Sequence, residues 1–163
     1  MVAKPTREIV IHEFRGELAP EFARLNYEWI EKAYSIEEHD REILDHPYEQ
    51  IIAPGGQIFF ACSDNVVLGT VALIEFGGNT FELAKMAVSP ESRGLGIGNK
   101  LMAACIGYAK VRGRDKIILE SNTRQAAAIA LYRKFGFVET PLDPQSHFVR
   151  ANIRMELNID PQR

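Results

Sequence analysis

Residues 88–102 read VSPESRGLGIGNKLM. Within this stretch Arg93-Gly94-Leu95-Gly96-Ile97-Gly98 sets three glycines at alternate positions, after an apolar run and before a helix-like one. A glycine that becomes helical costs about 0.5–1 kcal/mol relative to alanine, so the chain must gain something else here. Glycines let the backbone turn tightly and let another molecule approach it. A helix start also leaves amide N–H groups unpaired and carries partial positive charge. Together these features make an anion site suited to a pyrophosphate, and Arg93 adds a full charge beside it. Two other readings stand next to this one. The first is a tight turn that binds nothing. The second is the dinucleotide loop of a parallel β-α-β unit, which expects an acidic residue about 20 positions further on. The Walker pattern is absent, because no Gly-Lys-Ser/Thr follows.

Working upstream, Thr80 to Val88 (TFELAKMAV) reads as a strand. The hairpin signal Gly77-Gly78-Asn79 precedes it, and before that comes the strand Val66 to Phe76. Asp64-Asn65 makes a further turn after Gln57 to Cys62. This antiparallel meander argues against the dinucleotide loop. Nearer the N-terminus, Glu8 to Phe14 is a first strand. Leu18 to Tyr34 is a helix with Phe22, Leu25, Trp29, Ile30 and Ala33 at helical spacing. A second helix, Ile36 to Leu44, ends near Pro47. Downstream of the glycines, Gly96 to Val111 is helical, with Leu101, Met102, Cys105 and Ala109 on one face. Lys116 to Leu119 is a buried strand, and Gln125 to Phe135 is a helix stopped by Gly136. Phe137-Val138 and Arg150 to Ile159 are the last strands. The order is β-α-α-β-β-β-α-β-α-β-β. It describes an α/β fold, with a mixed, mostly antiparallel, twisted sheet of about seven strands and helices on both faces. We expect a single domain over 1–163, with its core at about 8–159.

Composition narrows the function. The net charge of −3 leaves no basic excess to neutralise phosphate backbones, so no nucleic-acid partner is expected. No apolar run approaches the roughly 20 residues of a membrane span, and the N-terminus has no apolar leader, so no membrane partner and a cytoplasmic location are expected. Cys62 and Cys105 sit in apolar contexts and read as small buried hydrophobes. His12, His39, His46 and His147 are not spaced as metal ligands, and no metal is expected. Tyr27 and Trp29 are candidates for a cleft wall, with core packing the competing reading for Trp29.

Two blocks together carry a resemblance. Arg93-Gly94-Leu95-Gly96-Ile97-Gly98 matches the signature Arg/Gln-x-x-Gly-x-Gly/Ala. Leu131-Tyr132-Arg133-Lys134-Phe135-Gly136-Phe137 matches a helix ending Leu-Tyr-x-Lys-x-Gly-Phe. With these blocks and this strand order, the chain resembles the GNAT family of N-acetyltransferases.

The resemblance implies that acetyl-CoA is the cosubstrate. Its pantetheine arm would pair with the backbone of Met86, Ala87 and Val88, and its pyrophosphate would lie on the amides of Arg93, Gly94, Leu95, Gly96, Ile97 and Gly98. Tyr132 matches the family's tyrosine, whose hydroxyl sits near the CoA sulfur; with an ordinary pKa of about 10 it is a donor at neutral pH and could protonate the departing thiolate, the competing reading being a packed aromatic in a helix. Even spacing on this strand puts Glu82, Ala84, Met86 and Val88 on one face, a solvated charge being the competing reading for Glu82. An acid there could accept the amine proton, and one branch of the family carries a glutamate at this offset. Asn122 is a candidate contact to the cofactor. So is Gln125, which stands where many members have asparagine. On the last strand, alternation puts Arg150, Asn152, Arg154 and Glu156 on one face, opposite the apolar residues. The two arginines Arg150 and Arg154, with Asn152 between them, are therefore candidate contacts to an acceptor carboxylate, with a solvated face and an Arg154–acid pair as the alternative. Asn26 on the first helix joins them as a substrate contact. The function expected is direct, acetyl-CoA-dependent acetylation of a primary amine on a small molecule, such as an amino acid or related metabolite. A catalytically silent acyl-CoA-binding or sensor module is the competing reading. Family relatives are commonly dimers, so a homodimer is an expected partner.

Overall fold

The protein is described by a computed structural model over residues 8–146 and 148–159. His147 and both ends of the expected domain, 1–7 and 160–163, lie outside the described residues. Seven strands form one open sheet in the order β1-β2-β3-β4-β5-β7-β6. They are β1 (Val10–Glu13), β2 (Gln57–Ser63), β3 (Val66–Gly77), β4 (Thr80–Val88), β5 (Lys116–Ser121), β6 (Val138–Thr140) and β7 (Ile153–Asn158). The helices are α1 (Ala19–Ala33), α2 (Glu38–Asp45), α3 (Ile97–Val111) and α4 (Ala126–Lys134). Every neighbouring pair is antiparallel except β4–β5. That parallel pair needs a crossover, which α3 supplies. Asp64 and Asn65 both hold positive φ, as a two-residue hairpin turn requires.

The sheet separates two apolar clusters. On one side Leu101, Met102 and Cys105 of α3 and Ile129 and Tyr132 of α4 pack on Phe59, Val71 and Leu119. On the other, Phe22, Leu25 and Ile30 of α1 and Ile43 and Leu44 of α2 pack on Ile58, Phe60 and Ala72. The start of α3 sits directly on β3: a Cβ at Gly69 would meet Ile97 Cγ2 at 2.8 Å.

Three sequence expectations need correction. First, β4 does not alternate regularly. Thr70 pairs with Ala87 and Ala72 with Ala84, so Lys85 and Met86 together face Val71 in a β-bulge, and Lys85 takes φ +56°. Before the bulge Phe81 and Leu83 join the α3 cluster; after it Met86 and Val88 do, while Ala87 crosses to the α1 cluster. Glu82 and Ala84 therefore do not share a face with Met86 and Val88. Second, β7 begins at Ile153, not Arg150. Ala151 N–H closes a turn onto Phe148 O, and Asn122 Nδ2 binds Arg150 O at 2.7 Å, so Arg150 lies in a turn. Third, Phe137 is not in a strand but closes the turn that follows α4. Its N–H donates to Tyr132 O across Gly136, which holds φ +101°, and β6 starts one residue later. A π-helical turn at Tyr48–Ile52 was also not anticipated.

The feature that positions the site is the β4–β5 seam. It holds three residue pairs, Thr80–Lys116, Phe81–Ile117 and Glu82–Ile118, and beyond them the strands part.

Candidate active site

A cavity of about 960 Å³ opens where β4 and β5 separate. One end is the glycine loop. Gly94 (φ +82°) and Gly96 (φ +75°) occupy the left-handed region, and Gly96 is the residue from which α3 starts. A Cβ at either would meet nothing within 4 Å, so conformation, not crowding, calls for glycine here. Amides from Gly94 to Asn99 donate to no other described residue, as expected of a helix start without a side-chain cap. These orphan donors, with Arg93 beside them, fit a phosphate-bearing group. Arg93, Gly94, Gly96, Ile97 and Gly98 line the cavity; Leu95 does not, and its side chain is 49% exposed. Met86, Ala87 and Val88 line it from β4, whose β5-facing edge pairs with no strand at that level.

At the middle stands Tyr132, buried on α4 against Phe137 (ring centroids 5.9 Å apart) and lining the cavity. Its hydroxyl bonds to no other described residue. Burial, with a smaller contribution from Cys105, pushes its pKa up to about 12, so it stays protonated throughout the physiological range. Glu120 enters from β5, one alternation past the last β4–β5 pair, and its Oε2 accepts from Ser146 Oγ at 2.5 Å.

At the other end lie Trp29, Tyr34 and Phe148, with Trp29 and Tyr34 edge to face at 6.2 Å. Beneath them is a buried ionic cluster. Asp40, fully buried, accepts from Lys85 Nζ at 2.5 Å, from Arg150 Nη1 and Nη2 at 2.8 and 2.6 Å, and from the Glu37 N–H at 2.8 Å. Burial alone would raise the Asp40 carboxyl. The hydrogen bonds from Arg150 and Lys85 outweigh it and hold the group well below the usual carboxylate range. Burial pulls the Lys85 ammonium down despite Asp40. Arg150 moves the other way: Asp40 and Glu37 raise it against the effect of burial.

The remaining sequence candidates fall in different places. Glu82 lies on the paired side of the seam and does not line the cavity. Asn122 and Gln125 do line it. The Asn122 amide is already held by Arg150 O and the Arg124 N–H, and Gln125 reaches the Tyr34 hydroxyl at 3.4 Å. Arg154, Asn152 and Asn26 do not line it. Arg154 pairs with Glu156 at 3.3 Å, Asn152 bonds Thr123, and Asn26 is buried between Phe22 O and the Trp29 indole. Tyr27 is held on Asp45 and does not line it either. Glu120, Tyr34 and Lys85 are cavity residues that sequence reasoning did not single out, whereas Arg150, grouped in the sequence with Arg154 as a carboxylate contact, does line the cavity but is held by Glu37 and Asp40. Only Glu120 carried a signal, since continuing the β5 alternation past Leu119 reaches it. Among the described residues, no group of three or more His, Cys, Asp or Glu side chains could hold a metal, and no helix is long and apolar enough to cross a membrane.

Comparison with known proteins agrees with this geometry. The profile of the acetyltransferase (GNAT) family matches residues 22–137, and the chain belongs to that family. It is 32% identical over 120 residues to an N-acetyltransferase of Schizosaccharomyces pombe, covering 71% of this chain and 72% of that one. It spans only 41% of two longer rat N-acetyltransferases that it also matches. In fold it is similar to a GNAT acetyltransferase of Staphylococcus aureus (TM-score 0.85, 24% identity, 94% of this chain and 100% of that one). It is also similar to an acetyltransferase of Salmonella typhimurium solved with its cofactor acetyl-CoA (TM-score 0.77, 21% identity, 96% of each chain).

Proposed function

We propose that this chain acts as a single acetyltransferase domain that moves the acetyl group of acetyl-CoA to the primary amine of a small molecule. The observation that carries the reading is one continuous cavity with the orphan amides of residues 94–99 at one end and the buried Tyr132 hydroxyl at its middle. Those amides and Arg93 would hold the pyrophosphate, and the free edge of Met86–Val88 would hold the pantetheine arm. Acetyl-CoA, when bound, supplies an acetyl group activated as a thioester. Glu120 takes the proton of the acceptor amine, a role its carboxylate suits better than that of Glu82, because Glu120 lies on the open side of the seam. Tyr132 would donate its hydroxyl proton to the departing thiolate, and its pKa, pushed up to about 12, keeps that proton in place at neutral pH until the sulfur leaves. An amino-acid acceptor held by Arg154 loses its support, since Arg154 does not line the cavity. The two buried free cysteines agree with a cytoplasmic setting.

The test is calorimetry with CoA and acetyl-CoA, followed by thiol release across a panel of amines. Binding with amine-dependent thiol release supports the reading. Binding without turnover returns the silent acyl-CoA module, and no binding defeats both.

A further inference from the structure

The acceptor end of the cavity has a charge balance that bears on what can enter it. Two cations lie there, Lys85 and Arg150, but neither is available. Arg150 gives Nη1 to Glu37 and Asp40 and Nη2 to Asp40, and its guanidinium carbon lies 4.6 Å from the Phe148 ring centroid. Lys85 gives Nζ to Asp40 and sits 4.4 Å from the same ring. Two cations face two carboxylates, so the cluster is neutral as a unit. Of the amides that line the cavity there, Asn122 is engaged within the chain at both ends and Gln125 donates to the Tyr34 hydroxyl at 3.4 Å. Arg124 also borders the cavity, but it is solvent-exposed, 5.3 Å from the Tyr34 ring, where a single ion pair contributes little. The charge left uncompensated is Glu120, which accepts from Ser146 and is in no ion pair with a described residue. The same cavity is walled by the rings of Trp29, Tyr34 and Phe148 and the methyl groups of Ala84 and Ala151.

We infer that the acceptor is an apolar primary amine, aromatic by preference, that carries no carboxylate. Its ammonium is drawn in by Glu120 and its body lies against the three rings. This rests on the acetyl-transfer reading above. An acceptor carboxylate would be desolvated beside Glu120 with no unpaired buried cation to receive it, a like-charge arrangement that proteins use to reject ligands. A polyamine would bring further charges and find one anion among the rings.

The experiment compares 2-phenylethylamine, L-phenylalanine and spermidine as acceptors at one pH, with acetyl-CoA affinity measured in parallel. The first two differ only by the carboxylate. Expected is a kcat/KM for 2-phenylethylamine at least about tenfold above either of the others, the size of effect that one uncompensated charge produces. The Trp29→Ala variant should lose most of that kcat/KM while its affinity for acetyl-CoA is unchanged. An Arg124→Ala variant should leave the ranking as it is. The inference is overturned if phenylalanine or spermidine matches 2-phenylethylamine, if Trp29→Ala keeps full kcat/KM, if Arg124→Ala changes the ranking, or if acetyl-CoA binds and none of the three is acetylated. Failure of acetyl-CoA to bind would instead remove the acetyl-transfer reading, and this inference with it.

Discussion

Replacing Asp40 with asparagine keeps the shape of the side chain and removes its charge. Asp40 has no exposed surface, and the Lys85 side chain opposite it is only 4% exposed. Arg150 retains Glu37 at 3.1 Å, so the group left short of a partner is the Lys85 ammonium. Removing one member of a buried ion pair costs about 3–5 kcal/mol. Glu82 contributes some compensating field at Lys85, which puts the expected loss near the low end, about 3 kcal/mol. In a domain of this size each kcal/mol moves Tm by about 2–4 °C, so a fall of about 6–12 °C is expected. The assay is urea unfolding followed by circular dichroism, with a thermal scan alongside. The double variant Asp40→Leu/Lys85→Met removes both charges and should recover most of the loss, because apolar replacement of a whole buried pair is often neutral. The native carboxyl holds its proton less tightly than the unfolded one. Its contribution is therefore complete above the ordinary aspartate value of about 3.9 and drains away as pH falls below it. Wild type should lose stability more steeply than the double variant between about pH 5 and pH 2. A loss under 1 kcal/mol in Asp40→Asn, or equal acid slopes, would refute the reasoning.

Gly96→Val forces a β-branched residue into φ +75°, which costs about 1–2 kcal/mol locally; calorimetry should show acetyl-CoA affinity reduced at least tenfold with the circular dichroism spectrum retained. Tyr132→Phe should lower kcat by about 10²-fold with little change in the KM for acetyl-CoA, since proton donation matters only as sulfur leaves. Glu120→Gln should lower kcat by about 10²-fold while Glu82→Gln leaves it near the wild-type value, and the opposite result would return the proton to Glu82.

The order of elements was legible because it rests on local signals. Paired turn residues such as Asp64-Asn65, the helical spacing of Phe22 to Ala33 and the glycines of 94–98 each act within a few positions. What escaped depends on contacts distant in sequence. The β4 bulge is held at a lysine with positive φ, a conformation that composition normally assigns to glycine or asparagine. Its explanation is Asp40, 45 residues away. The same carboxylate draws Arg150 from 110 residues away and keeps it out of β7. The face reading of Glu82 and the strand reading of Arg150 thus failed for one reason, a buried ionic cluster with no local signature. Arg154 was misplaced with them: it stays on β7, where its Nη2 pairs with Glu156 rather than facing the cavity.

The short seam between β4 and β5 has a mechanical consequence. Three residue pairs join the half of the sheet made of β1 to β4 to the half made of β5, β7 and β6. Two plates that share so short an edge resist bending only where something else ties them. Arg150, in the turn that leads into β7, reaches Asp40 of α2, which in turn holds Lys85 of β4, and the three form a clasp across the gap. A ligand that fills the gap would add a second tie along the line on which the plates hinge. Amide hydrogens of β4 and β5 beyond Glu82 and Ile118 should then exchange more slowly with ligand bound, and in the Asp40→Asn chain that ligand-dependent slowing should be larger than in wild type.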